Sequence, residues 1–175
     1  IYPKDIKGHL FLANTYFEKE QYINAMHYYH RILILNPKHF TANFYMAKCL
    51  LQLKDYNEAL MQFTLASKYK SNHFDSKYYI GYCLYELQRY KDSIKELTEA
   101  LLLNSNDANT YYYLGKSYVQ IDKNKQALEA LIMSITLDPD NGDAHFELGK
   151  IYEKVLKTDL ALYEYSLAKK YINNH

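Results

Sequence analysis

A chain of 175 residues with 49% apolar and 23% charged side chains is long enough to bury a core and too apolar to stay disordered. Its net charge of +1 offers no bulk attraction to nucleic acid or an anionic membrane, and Arg31 and Arg89 are its only arginines, so bidentate phosphate or guanine contacts are scarce. No apolar run reaches the ~18–20 residues that cross a bilayer, so nucleic-acid binding and membrane insertion are not expected.

The chain opens on Ile1 rather than Met, and it is expected to be a piece of a longer protein. Residues 1–5 form a short lead-in. From Ile6 a frame of 34 residues then recurs without insertion or deletion, giving 6–39, 40–73, 74–107, 108–141 and 142–175. Each frame holds two stretches with helical periodicity. In the first, position seven is a large aliphatic residue: Leu12, Met46, Ile80, Leu114 and Leu148. Position eight is small (Ala13, Ala47, Gly81, Gly115, Gly149) and position eleven is large again (Tyr16, Leu50, Leu84, Tyr118, Tyr152). These positions share one face of a helix. A small residue between two large ones is what a close helix crossing requires.

The second stretch repeats the device. Position twenty is small in every frame: Ala25, Ala59, Ser93, Ala127 and Ala161. Position twenty-four is large (Tyr29, Phe63, Leu97, Leu131, Tyr165), and position twenty-seven is Ile32, Ala66, Ala100, Ser134 and Ala168. Pro37 and Pro139 stand at position thirty-two, where a proline ends the second helix.

With these residues in place the frame resembles the tetratricopeptide repeat (TPR) family, whose signature is an aromatic residue, Leu-Gly, Tyr, Ala, an aromatic and Pro at fixed offsets. Frame four matches it at Tyr111, Leu114, Gly115, Tyr118, Ala127 and Pro139; frame five does so at His145, Leu148, Gly149, Tyr152, Ala161, Tyr165 and Ala168. Two departures stand out: the chain has no Trp, and Ser71, Ser105 and Asn173 replace proline at position thirty-two. The resemblance implies an all-α fold, a right-handed α-solenoid of five helix-turn-helix hairpins whose first helices line a concave groove. Arrays of this kind need polar ends. Here the chain stops with the fifth frame, so Leu160, Leu167 and Tyr171 are expected to be partly uncovered.

The same resemblance implies where a partner binds. Groove positions on the first helices carry Leu10, Phe44, Tyr78, Tyr112 and Phe146 at position five, and Phe11, Tyr45, Tyr79 and Tyr113 at position six, with Glu147 in the last frame. Position nine supplies Asn14, Lys48, Tyr82, Lys116 and Lys150; position twelve supplies Phe17, Leu51, Tyr85, Val119 and Glu153. The expected site is therefore a ladder of rings and lysines: Asn14, Phe17, Phe44, Tyr45, Lys48, Tyr78, Tyr79, Tyr82, Tyr85, Tyr112, Tyr113, Lys116, Phe146 and Lys150. Tyrosine offers contact area at low entropic cost together with a hydroxyl. Such a surface suits an extended or helical peptide with apolar anchors and some acidic groups. The alternative for the same rings is packing between repeats. The carboxylate clamp of co-chaperone family members is not matched: only Asn14 fits it, while Leu10, Tyr45, Asp75 and Tyr79 occupy the other clamp positions.

No catalytic residue, metal or cofactor is expected. His27 and His30 lie three apart on one helix with no third ligand placed to join them. Asp138, Asp140, Asn141 and Asp143 resemble a calcium loop, yet its twelfth position is Gly149 and Pro139 lies inside it. Cys49 and Cys83 share position ten, a buried slot, rather than a reactive one. The leading expectation is a non-enzymatic protein-interaction scaffold, intracellular in the cytoplasm or nucleus. Two alternatives accompany it: a homo-oligomer formed through uncapped terminal repeats, and the substrate-recruiting arm of an enzyme whose catalytic domain lies elsewhere.

Overall fold

A computed structural model describes residues 5–172, so residues 1–4 of the lead-in and the last three positions of the fifth frame lie outside the described residues. Among the described residues the chain is ten helices and no strand. The first helices are α1 (Ile6–Glu18), α3 (Phe40–Gln52), α5 (Phe74–Glu86), α7 (Ala108–Gln120) and α9 (Gly142–Lys154). The second helices are α2 (Tyr22–Leu35), α4 (Tyr56–Tyr69), α6 (Tyr90–Leu103), α8 (Asn124–Leu137) and α10 (Thr158–Ile172). The expected all-α hairpin fold is the one observed.

Local chemistry explains where each helix starts. All five first helices are capped by the side chain just before them, which accepts a backbone N–H that has no helical partner. Asp5 accepts from Gly8, Asp107 from Thr110 at 2.7 Å, and Asn141 from Ala144 at 2.9 Å. His39 and His73 do the same through Nδ1, receiving the N–H of Ala42 and Ser76 at 3.2 Å. Each hairpin then turns through one residue in the left-handed region: Glu20, Lys54, Gln88, Asp122 and Leu156, with φ between 57° and 60°. None of the five is glycine, so every turn carries some backbone strain.

The chain divides into two compact units, Ile1–Gln88 with α1–α5 and Arg89–His175 with α6–α10. In the first unit one core joins Ala13, Ala25, Tyr29 and Ile32 to Ala42 and Cys49, so α3 lies on the α1–α2 hairpin. A second core gathers Phe44, Ala47, Leu50, Ala59, Phe63 and Ala66 with Ile80, Cys83 and Leu84. The second unit is built around Tyr112, Ala127, Leu131, Ala144, Leu148 and Ile151.

The small residues at position eight do what their size suggests. A Cβ on Gly115 would lie 2.6 Å from Leu131 Cγ, and one on Gly149 would lie 2.5 Å from a ring carbon of Tyr165. The first and second helices of these hairpins thus approach closely enough to leave no room for a methyl group.

Candidate functional site

In the first unit the rings of the first helices converge on one lysine. The Lys48 ammonium on α3 sits 5.5 Å from the Phe17 ring centre, 5.7 Å from Tyr45 and 5.8 Å from Tyr79. All three distances fall within the range of cation–π attraction. Phe17 meets Tyr45 edge-on at 5.3 Å. Tyr45 stacks on buried Tyr29 at 6.1 Å, and Tyr79 stacks on buried Phe63 at 5.0 Å. The core therefore fixes the rings, and the rings in turn fix the lysine. Lys48 pairs with no carboxylate among the described residues, so its charge is not neutralised within the unit.

The other expected residues of this unit lie around that centre. Asn14 Oδ1 accepts the Tyr29 hydroxyl proton at 2.8 Å, which ties its side chain to the core. Tyr78 meets Tyr79 at 5.0 Å, Tyr82 meets Tyr56 at 6.2 Å, and Tyr85 is half-buried. Phe44 is different, being only 6% exposed and edge-on to Phe63 at 5.5 Å. It supports Tyr45 from beneath, at 5.5 Å.

The second unit repeats the chemistry on α7 and α9. Lys116 lies 5.0 Å from the Tyr112 ring and 5.3 Å from Tyr113, and the two rings meet at 5.1 Å. Tyr112 is 9% exposed and belongs to the core, so Tyr113 is the more open of the pair. Phe146 is exposed; Lys150 stands 5.7 Å from its ring and is ion-paired with Glu147 at 2.8 Å.

Cysteine chemistry plays no part in these surfaces. Burial pushes the Cys49 and Cys83 thiols up to about 12, which leaves them protonated and inert at neutral pH. His27 and His30 are exposed on α2, and Arg31 Nε donates to His27 Nε2 at 3.2 Å. Among the described residues no group of three or more His, Cys, Asp or Glu side chains is placed to hold a metal, and no helix is long and apolar enough to cross a membrane.

One polar arrangement escapes a reading of single positions. Asn43 on α3 donates to the carbonyl oxygen of Pro37 at 3.2 Å. On α9, in the same place in its frame, His145 Nε2 lies 3.0 Å from the carbonyl oxygen of Pro139 while Nδ1 lies 2.6 Å from Glu164 Oε2. A carbonyl only accepts, so Nε2 carries a hydrogen. The partner, nineteen residues further along, becomes visible only once the hairpin brings α10 against α9. The signal in the sequence was a histidine at the signature's aromatic position together with an acidic residue facing it on the second helix.

A family model described as "Anaphase-promoting complex, cyclosome, subunit 3" matches residues 2–66. Models described as "TPR repeat" and "Tetratricopeptide repeat" match residues 81–122 and 108–141. No curated protein sequence matches the chain. Among solved structures, MamA from Desulfovibrio magneticus RS-1 is similar with a TM-score of 0.89 at 21% identity, covering 97% of this chain and 96% of its own. YrrB, described as a TPR protein with an unusual peptide-binding site, has a TM-score of 0.83 at 22% identity, covering 99% of this chain and 90% of its own. PilF of Pseudomonas aeruginosa has a TM-score of 0.82 at 20% identity, covering 95% and 76%. At these identities the structures share the fold. The repeat models identify residues 81–141 as tetratricopeptide repeats, and the 34-residue recurrence of the first helices from Ile6 to Gly142 gives the described chain the tetratricopeptide-repeat fold throughout.

Proposed function

We propose that this chain is a protein-interaction scaffold whose first-helix faces hold a segment of a partner protein. Apolar anchors of that segment rest on the rings, and its carboxylates pair with the lysines. The observation that carries this reading is the Lys48 ammonium, held among Phe17, Tyr45 and Tyr79 without an anionic partner in its own unit. Aromatic faces attract a cation but do not neutralise it, so the ammonium keeps its charge for an incoming anion. Nearly fixed rings also lose little entropy when a ligand settles on them.

In this reading Asn14, Phe17, Tyr45, Lys48, Tyr78, Tyr79, Tyr82 and Tyr85 serve the first unit, and Tyr113, Lys116, Phe146 and Lys150 serve the second. Phe44 and Tyr112 act as supports beneath the surface, since both are buried. Residues 6–175 are read as one run of five repeats. The description of YrrB as peptide-binding supports the class of ligand.

The test is capture of partners from source lysate by the wild-type chain and by Lys48→Glu, followed by peptides tiling each captured protein. A partner lost with Lys48→Glu and traced to an acidic peptide supports the proposal. Partners retained in full by the variant would exclude the Lys48 centre as the site.

A further inference from the structure

The outer face of α2 differs in chemistry from that of every other second helix. Ile23, His27, His30 and Ile34 follow one another at intervals of four, three and four residues, which aligns them in one stripe along the helix. All four are exposed, Ile23 at 74% and Ile34 at 67%. This openness belongs to the fold. The hairpin of α3 and α4 has neighbours on both sides, since α3 packs on α2 and α4 on α5. Its residues at the same places, Asn57, Met61, Thr64 and Lys68, are exposed as well.

Elsewhere the stripe is charged: Lys68 lies on it in α4, Lys91 in α6, Lys125 in α8 and Asp159 in α10. On α2 no lysine, arginine or carboxylate interrupts it. Two exposed isoleucines about 16 Å apart thus anchor a weakly hydrated track along three turns of helix.

Beside this track the helix turns one cation outward. Arg31 Nε donates to His27 Nε2 at 3.2 Å, which holds the guanidinium against the stripe, and its terminal nitrogens meet no carboxylate among the described residues. α2 itself contains no Asp or Glu, unlike α4, α6, α8 and α10. His27, His30, Arg31, Ile34 and Leu35 line an outward hollow of about 340 Å³. An arginine fork takes a carboxylate through two parallel N–H···O bonds, and apolar walls beside it strengthen the pairing. The complement of this surface is an acidic group flanked by apolar ones. An anionic membrane fits less well, because such surfaces are held by clusters of about four to eight lysines or arginines, and this face has one.

We propose that the outer face of α2 docks an acidic amphipathic helix of a partner protein. Its apolar side chains rest on Ile23 and Ile34, and a carboxylate between them pairs with Arg31. The surface is separate from the Lys48 centre and works whether or not that centre binds a peptide.

Fluorescence anisotropy with two labelled synthetic helices tests the proposal. One, of about 18 residues, carries leucine at i, i+4, i+7 and i+11 with glutamate on its other faces; the second has lysine in place of every glutamate. The whole chain is used with Lys48→Glu as the background, so the first-helix site cannot account for the signal. The glutamate helix should bind this background, about tenfold more weakly after Ile34→Asp and roughly fivefold more weakly or worse after Arg31→Glu. Arg31→Glu should also turn the preference to the lysine helix, a change that structural damage would not produce. Ile34 and Arg31 are exposed, so helicity by circular dichroism should be unchanged. No binding of the glutamate helix would overturn the proposal, as would binding indifferent to Ile34→Asp, or a lysine helix bound equally well before Arg31 is changed. Binding to phosphatidylserine vesicles that Ile34→Asp abolishes, without binding of the helix, would assign the face to a membrane instead.

Discussion

His145 Nδ1 lies 2.6 Å from Glu164 Oε2, and the two side chains are buried where α10 crosses α9. The same two positions in the preceding hairpin hold Tyr111 and Ala130, so this chain fills one crossing in two ways. A buried polar pair is costly to break and cheap to replace as a whole.

Glu164→Ala should therefore destabilise the second unit by about 3 kcal/mol, because it strands a buried imidazole. Adding His145→Tyr, which recreates the Tyr111–Ala130 combination, should recover most of that loss. Urea unfolding followed by circular dichroism measures both. A double variant no more stable than the single one would show that the polar pair is not exchangeable.

The crossing at Gly115 leaves no room for a side chain, with Leu131 Cγ 2.6 Å from the site of a Cβ. Gly115→Ala should cost about 1–3 kcal/mol through overpacking, even though alanine is the better helix former by about 1 kcal/mol. Gly115→Ala with Leu131→Ala should do no better, since it replaces the clash by a cavity. A stabilised Gly115→Ala in thermal unfolding would mean that the hairpin opens freely.

Leu156 occupies the left-handed region at φ 59° and is 88% exposed. Its side chain adds strain and gains little from burial. Leu156→Gly should raise stability by up to about 1 kcal/mol, since glycine adopts this conformation without steric cost. The corresponding change at Asp122, also at positive φ, should be smaller because aspartate tolerates the region better and its ion pair with Lys154 is lost. Equal gains at both sites in denaturant titrations would count against this reading.

His73 caps α5 by accepting the Ser76 N–H at 3.2 Å through Nδ1, a role open only to neutral imidazole. Burial, opposed by nearby Asp75, holds its pKa below the ordinary histidine range. A folded-state pKa below the unfolded one means that the stabilisation is present above the unfolded value. It is lost as pH falls through the folded one. Stability of the first unit should therefore decline on acidification below the normal histidine range, and His73→Asn, which caps without titrating there, should flatten that part of the profile. An unchanged profile would remove His73 from the account.

The hairpin fold was legible because size alternation at a crossing is a local property: Gly115 and Gly149 announce it wherever they fall. The character of each ring was less legible. Phe44 and Phe146 hold the same place in their frames, yet Phe44 is packed beneath Tyr45 and Phe63 while Phe146 is exposed. Burial at that position depends on the neighbours of each hairpin, which no single frame records. Tyr112 illustrates the same point, since its ring belongs to the core of the second unit. The His145–Glu164 contact depends on the register of two helices and becomes readable only after the hairpin is closed.

The central claim rests on Lys48, whose ammonium is held 5.5–5.8 Å from three ring centres. Calorimetric titration of the captured acidic peptide into wild type, Lys48→Arg and Lys48→Glu tests it most directly. We expect Lys48→Arg to bind within a few-fold of wild type and Lys48→Glu to bind at least about tenfold more weakly, with the wild-type affinity falling as salt rises. Equal affinity for wild type and Lys48→Glu, independent of salt, would contradict the account.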